Sequence, residues 1–185
     1  MRKNFGAQSW LYPMPVLLVG TYDEAGKADL MNAAWGGIYE TNQVVLSLSH
    51  SHKTTKNIQA TGAFTVSIAD AKHVTEADYV GIVSANTTPD KLEKAGLHAE
   101  ASTFVKAPLF RKFPMTLECK LVKFNEDGNV IGEIVNVSAD DSILDAEGKI
   151  DPDKLEPIAF DSVHHTYRKL GEVVGAAFSD GKKLQ

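Results

Sequence analysis

The chain has almost no cysteine: Cys119 is the single one among 185 residues. That excludes an internal disulfide framework. Cys119 stands in an alternating, strand-like run, where a lone thiol reads as a small core residue rather than a redox centre. Long apolar runs are also missing. None approaches the roughly 20 residues that a membrane-spanning helix needs, so no membrane partner is expected. The start, MRKNFGAQSWLYPMPVLLVGTYD, is basic, but Tyr12, Pro13 and Pro15 interrupt its apolar stretch and no small-residue cleavage site follows. The expected setting is therefore cytoplasmic. Excess basic charge is absent as well: 19 Lys and Arg stand against 24 Asp and Glu, for a formal net charge of -5. Nonspecific nucleic-acid binding needs a basic footprint, so no nucleic-acid partner is expected. No G-x-G-x-x-G turn follows the first strand, which disfavours a doubly wound nucleotide-binding sheet. No G-x-S-x-G nucleophile elbow is present.

What is present is a β pattern. The length and the 43% hydrophobic content suit one domain spanning residues 1–185. Val16 to Tyr22 is an apolar strand, Asp23 to Lys27 a tight turn, and Ala28 to Tyr39 the returning strand. Gln43 to Leu48 is a third strand. Ser51 is the expected N-cap of a helix over residues 52–60, with Gly62 as its stop. Ala63 to Ala69 alternates as a strand. Short helices are expected over Val74 to Ala85 and Pro89 to Ala95, with Thr75 and Thr88 as caps and Gly96 ending the second. Met115 to Asn125 and Val130 to Ala139 form a hairpin about Glu126-Asp127-Gly128. Asp140 to Glu156 reads as an exposed acidic loop. Ile158 to Phe160 and Thr166 to Leu170 read as short strands, while Gly171 to Phe178 fits strand or helix equally. Close hairpin connections leave no room for parallel crossovers. The expectation is an antiparallel barrel with peripheral short helices.

Two constellations carry chemistry. The first is Ser49, His50, Ser51, His52, Lys53, Thr54 and Thr55, a run of hydroxyls and cations at a helix start. Hydroxyls, free N–H groups and the helix dipole together suit an anion. The alternative is a solvated, well-capped surface helix. The second is the small-residue turn Asn32-Ala33-Ala34-Trp35-Gly36-Gly37, which permits either tight packing at a barrel corner or close approach of backbone to a flat ligand. A strand joining the two would hold a ring at one end and a phosphate at the other, as flavin mononucleotide (FMN) requires. His50 and His52, with His164 and His165, lack the carboxylate or thiolate spacing of a metal site, so no metal is expected.

The chain resembles the flavin reductase-like family of FMN-binding split barrels, in particular its flavoredoxin branch. VGTYDEAGKADLMNAAWGGI resembles the family's first hairpin and ring-contacting turn, and VVLSLSHSHKTTKNIQATGAFTVSI its strand, phosphate cluster, helix and next strand. ADYVGIVSANTTPDKLEKAGL, APLF, LEC, GEI and YRKLGEVVGAAFSDGKKL follow in family order. The resemblance implies a mainly β, six-stranded antiparallel Greek-key split barrel that forms a homodimer with FMN near the subunit interface. It implies ring contacts from Asn32, Ala33, Ala34 and Trp35, and ribityl and phosphate contacts from Ser49, Ser51, His52, Lys53 and Thr54, with His50 and Thr55 as neighbours. Lys91 and Tyr167 are further implied contacts. Two departures stand out. Ser49 and His52 occupy positions where the branch often carries arginine, and the turn Asp127-Gly128-Asn129 lacks the histidine that many nicotinamide-dependent members carry.

The implied activity is an oxidoreductase that passes electrons from NADH, NADPH or a redox partner protein through FMN to a second acceptor. A non-enzymatic FMN electron carrier without nicotinamide turnover is the alternative. A split barrel that has lost flavin and binds another ligand is a third reading.

Overall fold

A computed structural model describes residues Met1–Gln185. The strands are β1 (Met14–Pro15), β2 (Leu17–Tyr22), β3 (Ala28–Ala33), β4 (Gly36–Glu40), β5 (Gln43–Leu46), β6 (Ala63–Ile68), β7 (Ala99–Ala101), β8 (Pro108–Phe110), β9 (Met115–Phe124), β10 (Val130–Ala139), β11 (Ile158–Asp161) and β12 (Thr166–Lys169). The α-helices are α1 (Lys53–Thr61), α2 (Val74–Ile82), α3 (Lys91–Lys94) and α4 (Pro152–Leu155).

Seven strands make one antiparallel sheet in the order β3-β2-β6-β9-β10-β5-β4. β3 and β4 lie at opposite edges, yet only Ala34 and Trp35 separate them. Three Cα steps from Ala33 to Gly36 reach roughly 11 Å at most. The sheet must therefore curl until its edges meet. Counted as one bent strand, β3–β4 completes the six-stranded split barrel that the sequence led us to expect. The chain leaves β5, crosses against β2 and β3 as α1, and enters β6 between β2 and β9, which gives the Greek-key connection.

The unbroken strand expected over Ala28 to Tyr39 is thus two strands. Its bend depends on a residue without a side chain: a Cβ on Gly36 would fall 2.7 Å from Leu46 Cδ2 and 2.9 Å from the Val45 carbonyl oxygen. β5 ends at Leu46, two residues earlier than expected, and just beyond it the Ser47 N–H donates to Trp35 O at 2.8 Å.

Two apolar layers sandwich the first strands. Leu17 and Val19 of β2 face the barrel interior with Leu46, Phe64, Val66, Leu117 and Cys119. Val16 and Leu18 face outward, where Leu30, Ala77, Val80, Phe110 and Phe113 cover them. Burial on both faces explains why this segment reads as a continuous apolar run. Helix α1 ends as expected at Gly62, with φ 70. Its N-cap is His52 rather than Ser51. The N-caps of α2 and α3 are His73 and Asp90 rather than Thr75 and Thr88.

The acidic segment 140–156 is not wholly exposed: it buries Ile143 and Leu155, and Asp151 caps α4 by accepting from the Asp153 N–H. A small sheet, β1-β11-β12, lies beside the barrel, and β7 pairs with β8. No helix is long and apolar enough to cross a membrane.

Candidate functional site

The loop over residues 47–52 links the two constellations. At one end the Ser47 N–H donates to Trp35 O. At the other the Thr55 hydroxyl donates to Ser49 O at 2.8 Å. Between them Ser49, His50, Ser51 and His52 are exposed. The Ser49 and Ser51 hydroxyls lie 2.8 Å apart, and the Ser51 N–H donates to Ser49 Oγ at 3.3 Å. The His50 ring rests on the β9–β10 turn, so close that a Cβ on Gly128 would be 2.3 Å from Nε2.

Helix α1 then begins without a side-chain cap and without an acidic residue in its first turn. Its leading N–H groups carry the positive end of the dipole toward this exposed loop. Lys53, half-buried, donates to Asp23 Oδ2 at 3.1 Å. The Lys27 backbone N–H, and then the Lys53 ammonium, hold the Asp23 carboxyl below the usual carboxylate range.

Thr54, Thr55 and Lys91 are buried and turned inward. The Thr54 hydroxyl donates to Asp29 Oδ2 at 3.0 Å. The other carboxylate oxygen, Oδ1, lies 2.8 Å from Lys91 Nζ, with the two side chains only 4% and 3% exposed. Lys91 also donates to Val83 O at 3.3 Å. Asp29 escaped sequence reasoning, although a signal was there: an acid between Ala28 and Leu30 in a strand demands a partner wherever it is buried. It ties β3, α1 and α3 together beneath the cationic loop.

At the bend, Asn32 donates from Nδ2 to Ala77 O at 2.9 Å. Ala33 is buried, Ala34 is half-buried, and Trp35 is 57% exposed. Ala34 borders two concavities. One, of about 600 Å³, is lined by Trp10, Leu11, Trp35, Gly36, Gly37 and Ser47, among others. The other, of about 240 Å³, lies among Asn32, Asp78, Gly81, Ile82, Phe160 and Tyr167. Tyr167 donates to Asp78 Oδ1 at 2.7 Å. Burial, reinforced by Asp78, pushes its phenol up to about 12. Trp10 and Asp78 also escaped sequence reasoning, because their positions at the site depend on long-range packing.

Chemically the arrangement offers an apolar, glycine-edged bend beside an exposed, uncapped, cationic helix start. The first accommodates a flat ring and the second an anion. Cys119 is buried, and burial pushes its thiol up to about 12, so it is no thiolate nucleophile.

The family model described as a flavin reductase like domain matches residues 9–159. The structure of the flavoredoxin of Desulfovibrio vulgaris (Miyazaki F) superposes with a TM-score of 0.94 at 39% identity, covering 98% of this chain and 100% of that one. The flavoredoxin from Methanosarcina acetivorans superposes with a TM-score of 0.89 at 27% identity over the full length of both chains, 100% of each. An uncharacterized protein of Aquifex aeolicus (strain VF5) is 30% identical over 156 residues, 79% of either chain.

Proposed function

The chain belongs to the flavin reductase-like family, and on that premise we propose that it binds FMN between the Asn32–Trp35 bend and the start of α1 and acts as an oxidoreductase. The observation that carries this reading is the 47–52 loop, which is hydrogen-bonded to the bend at one end and to α1 at the other. Ring-sized and anion-binding features are thereby fixed to one another.

The residues fit the cofactor. The uncapped first turn of α1, with Ser49, Ser51, His52 and Lys53, would hold the phosphate. Backbone groups of Asn32 to Trp35 would hold the ring, and Trp10, Leu11 and Trp35 would exclude water from it. Thr54, Thr55 and Lys91 serve this site from below, by fixing the helix start through Asp29 and Ser49. Bound FMN supplies the hydride and single-electron chemistry, and the protein supplies position and electrostatics. No side-chain nucleophile is assigned.

The electron donor is NADH, NADPH or a redox partner protein, and a second acceptor takes the electrons. The Asp127-Gly128-Asn129 turn, without a histidine and covered by the His50 ring, favours the carrier version, in which a protein partner replaces the nicotinamide. A homodimer is part of the proposal. Residues 168–185 are exposed throughout, and Val173, Val174 and Phe178, each more than 90% exposed, give this arm apolar side chains that a second copy would cover. The setting proposed is cytoplasmic.

The test begins with a visible absorption spectrum of the purified protein and an FMN titration. Lys53→Ala should weaken FMN about 10- to 100-fold, the worth of a charge-assisted hydrogen bond. A colourless protein that shows no saturable FMN binding would refute the reading. Anaerobic NADH and NADPH additions then separate enzyme from carrier: turnover of many per second with added FMN excludes the carrier.

A further inference from the structure

The smaller cavity behind the bend holds a polar network joining three distant parts of the chain. Asn32 comes from β3, Asp78 from α2 and Tyr167 from β12. Asn32 is held by its bond to Ala77 O, and the next residue, Asp78, accepts from the Tyr167 hydroxyl. Contact between α2 and β3 is tight: a Cβ on Gly81 would lie 2.9 Å from Asn32 Cβ. Tyr167 is steadied from the other side by Phe160, with ring centroids 6.0 Å apart. Val16, Ile82 and Phe160 give the cavity apolar walls.

Within those walls Asp78 is the only acidic side chain, and it takes part in none of the molecule's ion pairs. Its one side-chain partner is the neutral hydroxyl of Tyr167. That phenol, raised to about 12 mainly by burial and then by Asp78, remains a donor at neutral pH. Asp78 is thus a half-buried carboxylate without a cation partner, and it stands next to the residues assigned to the ring.

We propose that Asp78 and Tyr167 are positioning residues for the ring end of the site: together they hold the Asn32–Ala34 bend, and the unneutralised carboxylate of Asp78 keeps bound FMN hard to reduce. This rests on the FMN reading above. Reduced flavin gathers negative charge on its ring, and a neighbouring carboxylate opposes that gain while leaving the neutral oxidised ring less affected.

The full-length protein is compared with Asp78→Asn, Asp78→Glu and Tyr167→Phe. Three quantities are read: the affinity for oxidised FMN, the midpoint potential of the bound flavin against a reference dye, and the melting temperature of the FMN-free protein. Asp78→Asn keeps an acceptor for Tyr167 and removes the charge. It should favour reduced over oxidised FMN by at least tenfold, a rise of about 30 mV for a two-electron couple. Asp78→Glu, which keeps the charge, should retain the low potential. Tyr167→Phe should weaken oxidised FMN several-fold, with a smaller change in potential than Asp78→Asn.

An unchanged potential in Asp78→Asn, or an equal rise in Asp78→Glu, overturns the electrostatic role. Wild-type FMN affinity in Tyr167→Phe overturns the positioning role. If the wild-type protein binds no FMN, the FMN reading falls and both roles fall with it. If the wild type binds normally and all three variants match it, only the roles of Asp78 and Tyr167 fall.

Discussion

Replacing Lys91 with methionine leaves Asp29 as a buried carboxylate without a cation. The two side chains are 3% and 4% exposed and 2.8 Å apart, so neither charge has access to water that could replace its partner. Breaking such a pair from one side costs about 3–5 kcal/mol. The Thr54 hydroxyl still donates to Asp29 and offsets a part of that, so we expect about 3 kcal/mol. For a chain of this size that corresponds to a fall in melting temperature of about 6–12 °C. The companion variant combines Lys91→Met with Asp29→Asn. It removes both charges and keeps an acceptor for Thr54, and it should recover most of the loss, since replacing both members of a buried pair is close to neutral. Urea unfolding at neutral pH measures both. A single variant that loses less than about 1 kcal/mol, or a double variant less stable than the single, would show that Asp29 does not depend on Lys91 for its charge compensation. The same pair tests how Lys91 serves the site. If it acts only through Asp29, FMN affinity returns with stability in the double variant. Stability regained without affinity would place the ammonium on the ligand.

Three further outcomes are expected. Gly36→Ala should cost about 1–3 kcal/mol in chemical denaturation, because its methyl group would overlap Leu46 and the Val45 carbonyl at the bend. Removal of residues 170–185 should convert a dimer to a monomer in analytical ultracentrifugation, because that arm is exposed in the single chain and is the surface a second copy would cover. Asp161 is held well below the usual carboxylate range, first by the Tyr12 hydroxyl and then by His164 and the backbone N–H groups of His164 and Val163. A carboxyl lowered in the folded state contributes stability that is present above its unfolded value, near about 4, and is lost as pH falls below it. Asp161→Asn should therefore flatten the acid limb of the stability profile.

The barrel was legible because its signals are local. The turns at Gly26 and Gly128 and the helix stop at Gly62 are each written in a few adjacent residues, and all stand where expected. The cluster from Ser49 to Thr55 falls at the start of α1, where Ser49 to His52 are exposed but Thr54 and Thr55 are buried. Cys119 also settled in the core, as its place in an alternating run implied.

Other features belong to tertiary structure alone. The break at Ala34–Trp35 arises because two halves of one apparent strand pair with different neighbours, β2 and β5, and only the curl of the whole sheet requires it. Thr54 and Lys91 look like exposed binding groups along the linear chain. They face inward because Asp29, inside the barrel end, must be answered. Tyr167 and Asp78 lie 89 residues apart in the chain and meet only when β12 lies near the α2 face. Patterns of period two and glycine turns are properties of short segments, so the barrel and the place of its cationic loop can be read along the chain. Which polar group answers a buried charge depends on distant segments packed together, so it emerges only in the folded chain.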